Sequence, residues 1–112
     1  MNRDQCLKKI DSFTDELIKL RRHIHAHPEL SGLENQTAIL ISGYLKNIGW
    51  NVRESIGRTG VVADFGPLEK GIIGLRVDMD ALPILEETKL SFSSKVDGVM
   101  PVSYTHLRAH ET

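Results

Sequence analysis

Residues 72–77, Ile-Ile-Gly-Leu-Arg-Val, are apolar or β-branched at nearly every position, so a strand formed there carries apolar groups on both faces. Such a strand needs cover above and below, the environment of a central strand in a layered α/β domain. It runs into Asp78-Met79-Asp80-Ala81-Leu82-Pro83 and delivers two carboxylates, spaced by one residue, at its carboxyl end. That is where α/β sheets bind ligands. Asp78 and Asp80 point to opposite faces if the strand continues, and converge if it kinks. Carboxylates placed there can hold a metal, orient a histidine ligand or tune a base. The competing reading pairs Arg76 with one acid and leaves the other to cap the next turn.

Upstream, Leu7, Ile10, Phe13, Leu17, Leu20 and Ile24 recur at spacings of three and four, the stripe of an amphipathic helix. Pro28 bounds it, because a residue before proline is pushed out of the helical region. Ser31-Gly32-Leu33-Glu34 fits a capping box at the start of a second helix, with apolar Ala38, Ile41, Leu45 and Ile48. Gly49 suits the left-handed residue that ends it. Residues 51–56 and 61–65 read as strands around the Gly57–Gly60 turn, and Gly66-Pro67 opens another turn. Residues 84–101 have no clear periodicity and read as loop. Two helices followed by three strands predict part of an α/β domain.

The formal net charge is −1, and no basic or acidic run suggests nucleic acid as a partner. The apolar runs are too short to span a bilayer, so no membrane partner is expected. The N-terminal MNRDQCLKKIDSF is charged where a signal peptide needs an apolar core, which predicts a cytoplasmic protein. The single cysteine, Cys6, precludes an intrachain disulfide and reads as an apolar filler; Trp50 reads as a packing residue.

Histidines 23, 25 and 27 alternate, but at the end of a helix residues two apart diverge, so no three-ligand site is expected. The helix dipole alone favours histidines there. His106 and His110, four apart, mimic a helical zinc pair. If they approached the early cluster, the chain would be a small non-enzymatic module that captures a metal or ligand through its five histidines. The stretch Val102–Thr112, however, matches codon for codon the translation of a transposase-type sequencing adapter, which predicts a non-native tail over residues 102–112.

With these residues in view, the chain resembles the opening of the M20 metallopeptidase family, in the branch acting on N-acyl amino acids (aminoacylase-, hippurate hydrolase- and auxin-conjugate hydrolase-like enzymes). Leu20–Ser31 with Glu34, Thr37, Ala38, Leu45 and Gly49 carries the likeness first. Thr59–Ala63, Leu75–Pro83, Glu86, Ser94 and Gly98–Met100 continue it in order; Val77 stands where that branch more often has alanine. The resemblance implies an α/β/α sandwich catalytic domain of the zinc-peptidase type, incomplete in this chain, with residues 1–101 as its N-terminal fragment. It also implies an inserted α/β domain that serves as lid and often as dimer surface, hence a homodimer as an expected parent assembly.

The implied cofactors are divalent metal ions (Zn, Mn or Co), two per active site. The implied reaction is hydrolysis of the amide between an acyl group and an amino acid. In the family, a methionine such as Met100 precedes a His-Ala-Cys-Gly-His-Asp motif that binds metal; here Pro101 follows instead, so no residue of this chain is assigned as a metal ligand. By analogy Asp80 is the leading active-site candidate, since its position orients a metal ligand in related branches. Asp78 is the second, at a position that elsewhere holds a ligand histidine, and Arg76 supports them. An inactive, poorly soluble 112-residue product is expected. Reading chromosomal DNA through codons 100 and 101 checks the tail: the expected continuation encodes Cys-Gly-His shortly after Met100, and unbroken reads through the present final codons would refute it.

Overall fold

The computed structural model describes residues 1–102. The first apolar stripe forms one helix, α1 (Arg3–Ala26). Asn2 caps it: its side chain accepts from the Gln5 N–H (2.9 Å) while the Gln5 side chain accepts from the Asn2 N–H (3.0 Å). The two bonds satisfy helix donors that would otherwise lack partners. At the far end the His27 N–H reaches the carbonyls of His23 and Ile24, and Pro28 stops propagation.

Helix α2 (Asn35–Asn47) begins differently from the sequence expectation. Ser31 does not cap it, because Ser31 and Gly32 lie inside a tight turn closed by the Leu33 N–H to the Leu30 carbonyl (2.9 Å). Gly32, at φ +82, supplies the left-handed residue this turn needs. The Gln36 and Thr37 amides are met instead by the Glu29 carboxylate, at 3.1 and 2.6 Å. Glu34 turns to the Gly32 amide (2.6 Å) and to the Thr59 hydroxyl. The C-terminus follows expectation: Gly49 (φ +91) gives its N–H to Lys46, and Trp50 gives its N–H to Leu45, both at 3.0 Å. This is the Schellman pattern.

Strands β1 (Asn51–Ile56) and β2 (Gly60–Asp64) form an antiparallel pair in which Asn51 faces Asp64 and Arg53 faces Val62. The register is irregular between Arg53 and Ile56, where Ser55 takes φ +57. Helix α2 packs on both strands. Ser42, on its inner face, donates to the Glu54 carboxylate, which also accepts from Lys46 at 2.9 Å. Trp50 is half-buried and stacks on Phe65 with ring centroids 5.5 Å apart.

The third expected strand is not formed. Among the described residues the sheet consists of β1 and β2, and residues 72–77 run outside it with Ile73 92% and Leu75 90% exposed. A segment apolar on both faces gains by becoming a strand only when ladder partners and two covering layers exist together. One hairpin and two helices do not provide them. The α1 stripe is likewise uncovered, with Leu7, Ile10, Phe13 and Leu17 all exposed. Among the described residues no helix is long and apolar enough to cross a membrane.

Apolar exposure on this scale favours association. The 112-residue chain is expected to self-associate and to bind a hydrophobic dye, and the double substitution Ile73→Lys, Leu75→Lys to raise its soluble fraction. Sedimentation velocity of both proteins checks this; a monodisperse unmodified monomer with no dye binding would contradict it.

Candidate functional site

Three segments far apart in sequence meet around Ala81. The turn after α1 offers the Glu29 carbonyl to the Ala81 N–H at 2.8 Å, and Leu30 bridges Ala81 in parallel fashion. On the other side Leu82 and Met100 exchange both backbone hydrogen bonds, at 2.9 and 3.0 Å. Ala81 is 3% exposed, and Pro28 and Pro101 are buried. The Asp78–Asp80 segment is thereby held at the edge of a packed junction.

Asp78 and Asp80 are both half-buried. Arg76 reaches Asp78 with Nη2 3.5 Å from Oδ1, from a side chain that is itself 90% exposed. At that distance and exposure the pair contributes little to stability. Among the described residues no side chain pairs with the Asp80 carboxylate. The structure therefore places Arg76 beside one acid, as the competing sequence reading has it.

The histidines diverge as the helical geometry requires. His23 and His27 stack with centroids 4.5 Å apart, and His27 Nδ1 bonds to the His23 carbonyl at 2.8 Å. His25 leaves from a different face toward Glu86. Among the described residues no three histidine, cysteine or acidic side chains cluster as a metal site. Asp78 and Asp80 alone do not make one, so no catalytic step is derived through a metal here. His106 and His110, on which the binding-module reading depends, lie outside the described residues.

Two acids that sequence reasoning gave no chemical role prove to be hubs. Glu86, its side chain 3% exposed, accepts from His25 Nε2 (2.8 Å), the Ser94 N–H (2.8 Å) and the Thr88 hydroxyl. Burial pushes its carboxyl upward, but Thr88, Ser94 and His25 outweigh that and hold it below the ordinary carboxylate range. Phe92 packs edge-on against His25 at 5.5 Å, and the Arg22 guanidinium sits 4.7 Å from the Phe92 centroid. Glu29 is similar: burial raises it, while the Thr37 hydroxyl and the amides of Thr37 and Gln36 lower it further. A separate cavity of about 180 Å³ between α2 and the hairpin, lined by Asn35, Glu54 and Arg58 among others, shares no residue with the Asp78–Leu82 segment.

No protein-family model matches the chain. Hippurate hydrolase from Campylobacter jejuni is 49% identical over 89 residues, covering 76% of this chain and 22% of that protein. The N-acyl-L-amino acid amidohydrolase of Geobacillus stearothermophilus is 38% identical over 101 residues, covering 89% of this chain and 27% of its own length. The crystal structure of the Bacillus subtilis YXEP protein, a dinuclear metal binding peptidase from the M20 family, superposes with TM-score 0.74 at 42% identity. That match takes in 81% of this chain and 26% of the other. This chain's homologues are M20-family peptidases and amidohydrolases, matched over most of its length. The chain spans about a quarter of the length of these M20 relatives. Its α/β fold corresponds to part of an M20 chain, and the family resemblance carried by the sequence is borne out.

Glu29→Ala removes the acceptor for two amides at the start of α2, and a loss of about 1–2 kcal/mol is expected. Because the folded pKa is lowered, the wild-type contribution is complete above the usual glutamate value of about 4.3. It disappears as the pH falls through the lower folded value. Urea titrations of the helical signal at neutral and acidic pH, in the Ile73→Lys, Leu75→Lys background, measure both. A wild-type-to-mutant difference that persists unchanged at acid pH would count against this cap.

Proposed function

We propose that residues 1–101 are the N-terminal part of the catalytic domain, an α/β/α sandwich of the zinc-peptidase type, of a metal-dependent amidohydrolase that cleaves N-acyl amino acids. Residues 102–112 are not native to it. The observation that carries this reading is the pairing of Leu82, two residues after Asp80, with Met100. The Ala81 bond to Glu29 and the Leu82–Met100 pair fix the segment that follows the two acids, which supports their acting near residues that would come after Met100 in the parent. Similarity to a hippurate hydrolase and an N-acyl-L-amino acid amidohydrolase supports the substrate class.

In this reading Asp80 orients a downstream group, Asp78 flanks it, and Arg76 moderates the charge of Asp78. Amide hydrolysis needs a polarised carbonyl and an activated water, chemistry that divalent ions supply when bound. Their ligands come from sequence this chain lacks. The partner is the small N-acyl amino acid, and the near-neutral charge supports a cytoplasmic enzyme without nucleic-acid or membrane partners. A homodimeric parent belongs to the same proposal.

The 112-residue polypeptide is expected to turn over no N-acetyl amino acid with added zinc, manganese or cobalt. A chimera in which residues 1–100 replace the matching segment of the Campylobacter jejuni hippurate hydrolase is expected to hydrolyse hippurate. In it, Asp80→Asn is expected to lower activity about 10- to 100-fold, the range seen when the partner of a metal ligand is removed. A folded but inactive chimera, or full activity in the Asp80 variant, would defeat the reading.

A further inference from the structure

The amidohydrolase reading leaves unused the Glu86 carboxylate, whose side chain is 3% exposed. We propose that Glu86, with His25 as its partner, is a positioning residue that fixes the register of the Asp80–Leu82 segment against Met100. Leu82 and Met100 meet as an isolated antiparallel bridge of two backbone hydrogen bonds, and the loop of residues 83–99 between them contains neither helix nor strand. A pairing that short specifies its own register weakly. Something outside it has to exclude the neighbouring alignments.

Glu86 has the geometry for that. One oxygen takes both His25 Nε2 and the Ser94 N–H at 2.8 Å, and the other takes the Thr88 hydroxyl. The next residue, Lys95, gives its N–H to the Ala26 carbonyl at 2.8 Å. The loop is thus fastened to adjacent residues of the last turn of α1. From there the chain passes through Pro28 to Glu29, whose carbonyl holds Ala81. The connections close a ring: α1 to the loop through Glu86 and Lys95, and α1 to Ala81 through Glu29, with Leu82 and Met100 meeting between them. Sliding Leu82 by one residue past Met100 would turn alternate side chains to the opposite side. It would also pull on the loop's ties to α1 and draw a carboxylate whose side chain is 3% exposed away from its donors, which costs free energy. Phe92 packs edge-on against His25, and the Arg22 guanidinium lies over the Phe92 ring.

The catalytic consequence rests on the amidohydrolase reading; the register itself does not. The test uses the hippurate hydrolase chimera with Glu86→Ala and Glu86→Gln, and two readouts. Hydrogen exchange at the Leu82 and Met100 amides is expected to quicken at least about tenfold in the alanine variant. The kcat is expected to fall about ten- to hundredfold with KM nearly unchanged, the signature of a displaced site. Glutamine keeps an acceptor for Ser94 and is expected to recover part of both. Unchanged exchange at the two amides overturns the proposal, and so does faster exchange with wild-type kcat per folded molecule. If the parent chimera hydrolyses nothing, the amidohydrolase reading fails while the exchange data still decide the register. Should the variants not fold, the same exchange comparison is made in the 112-residue chain carrying Ile73→Lys and Leu75→Lys.

Discussion

The Ala81 amide bonded to the Glu29 carbonyl joins the helical N-terminal half to the Asp-Met-Asp segment. Glu29 serves twice at this point. Its carbonyl receives Ala81, and its carboxylate receives the first amides of α2. One residue therefore sets where the second helix starts and where the two acids stand. Pro28 before it limits the available conformations, and the Leu30–Leu33 turn after it redirects the chain.

Organisation by polar hubs follows from how little apolar surface is enclosed. Ala26 and Ala81 are the buried hydrophobic residues among those described, whereas Glu34, Thr37 and Ser42 are buried polar ones. A buried carboxylate is tolerable only when donors surround it, and each such set of donors is geometrically selective. Glu34 and Glu86 tie segments that are distant in the chain, through Thr59 and His25, and Glu29 ties the turn after α1 to the start of α2 through Thr37. Directional bonds, more than volume filling, decide how the loops are placed.

What could be read from residues alone was what local forces determine. The three- and four-residue rhythm through Leu17 and Ile24 showed both helices, and Pro28 and Gly49 marked where they stop, whereas where they start was not legible. Residues 51–56 and 61–65 were legible as two strands around the Gly57–Gly60 turn, and the structure pairs them antiparallel. Ser31 misled because a capping serine and a turn serine have the same spelling; only the Leu33 amide returning to Leu30 distinguishes them. Residues 72–77 misled for the opposite reason, since their pattern reports partners that the described chain does not contain. For the candidate site, Asp78 and Asp80 were visible from their position after an apolar run. Glu86 was not, because its decisive partner His25 lies 61 residues away and no hydropathy pattern records such a donor.

The bare apolar ribbon from Ile72 to Val77 has a bearing on synthesis as well as structure. A growing polypeptide that has emerged to this length displays the ribbon before anything made later can lie against it. Ribosome-associated chaperones and cellular proteases compete for such surfaces, and the outcome depends on how quickly translation proceeds. For a chain that carries Ile72 to Val77 in the open, the time spent uncovered is a window of vulnerability.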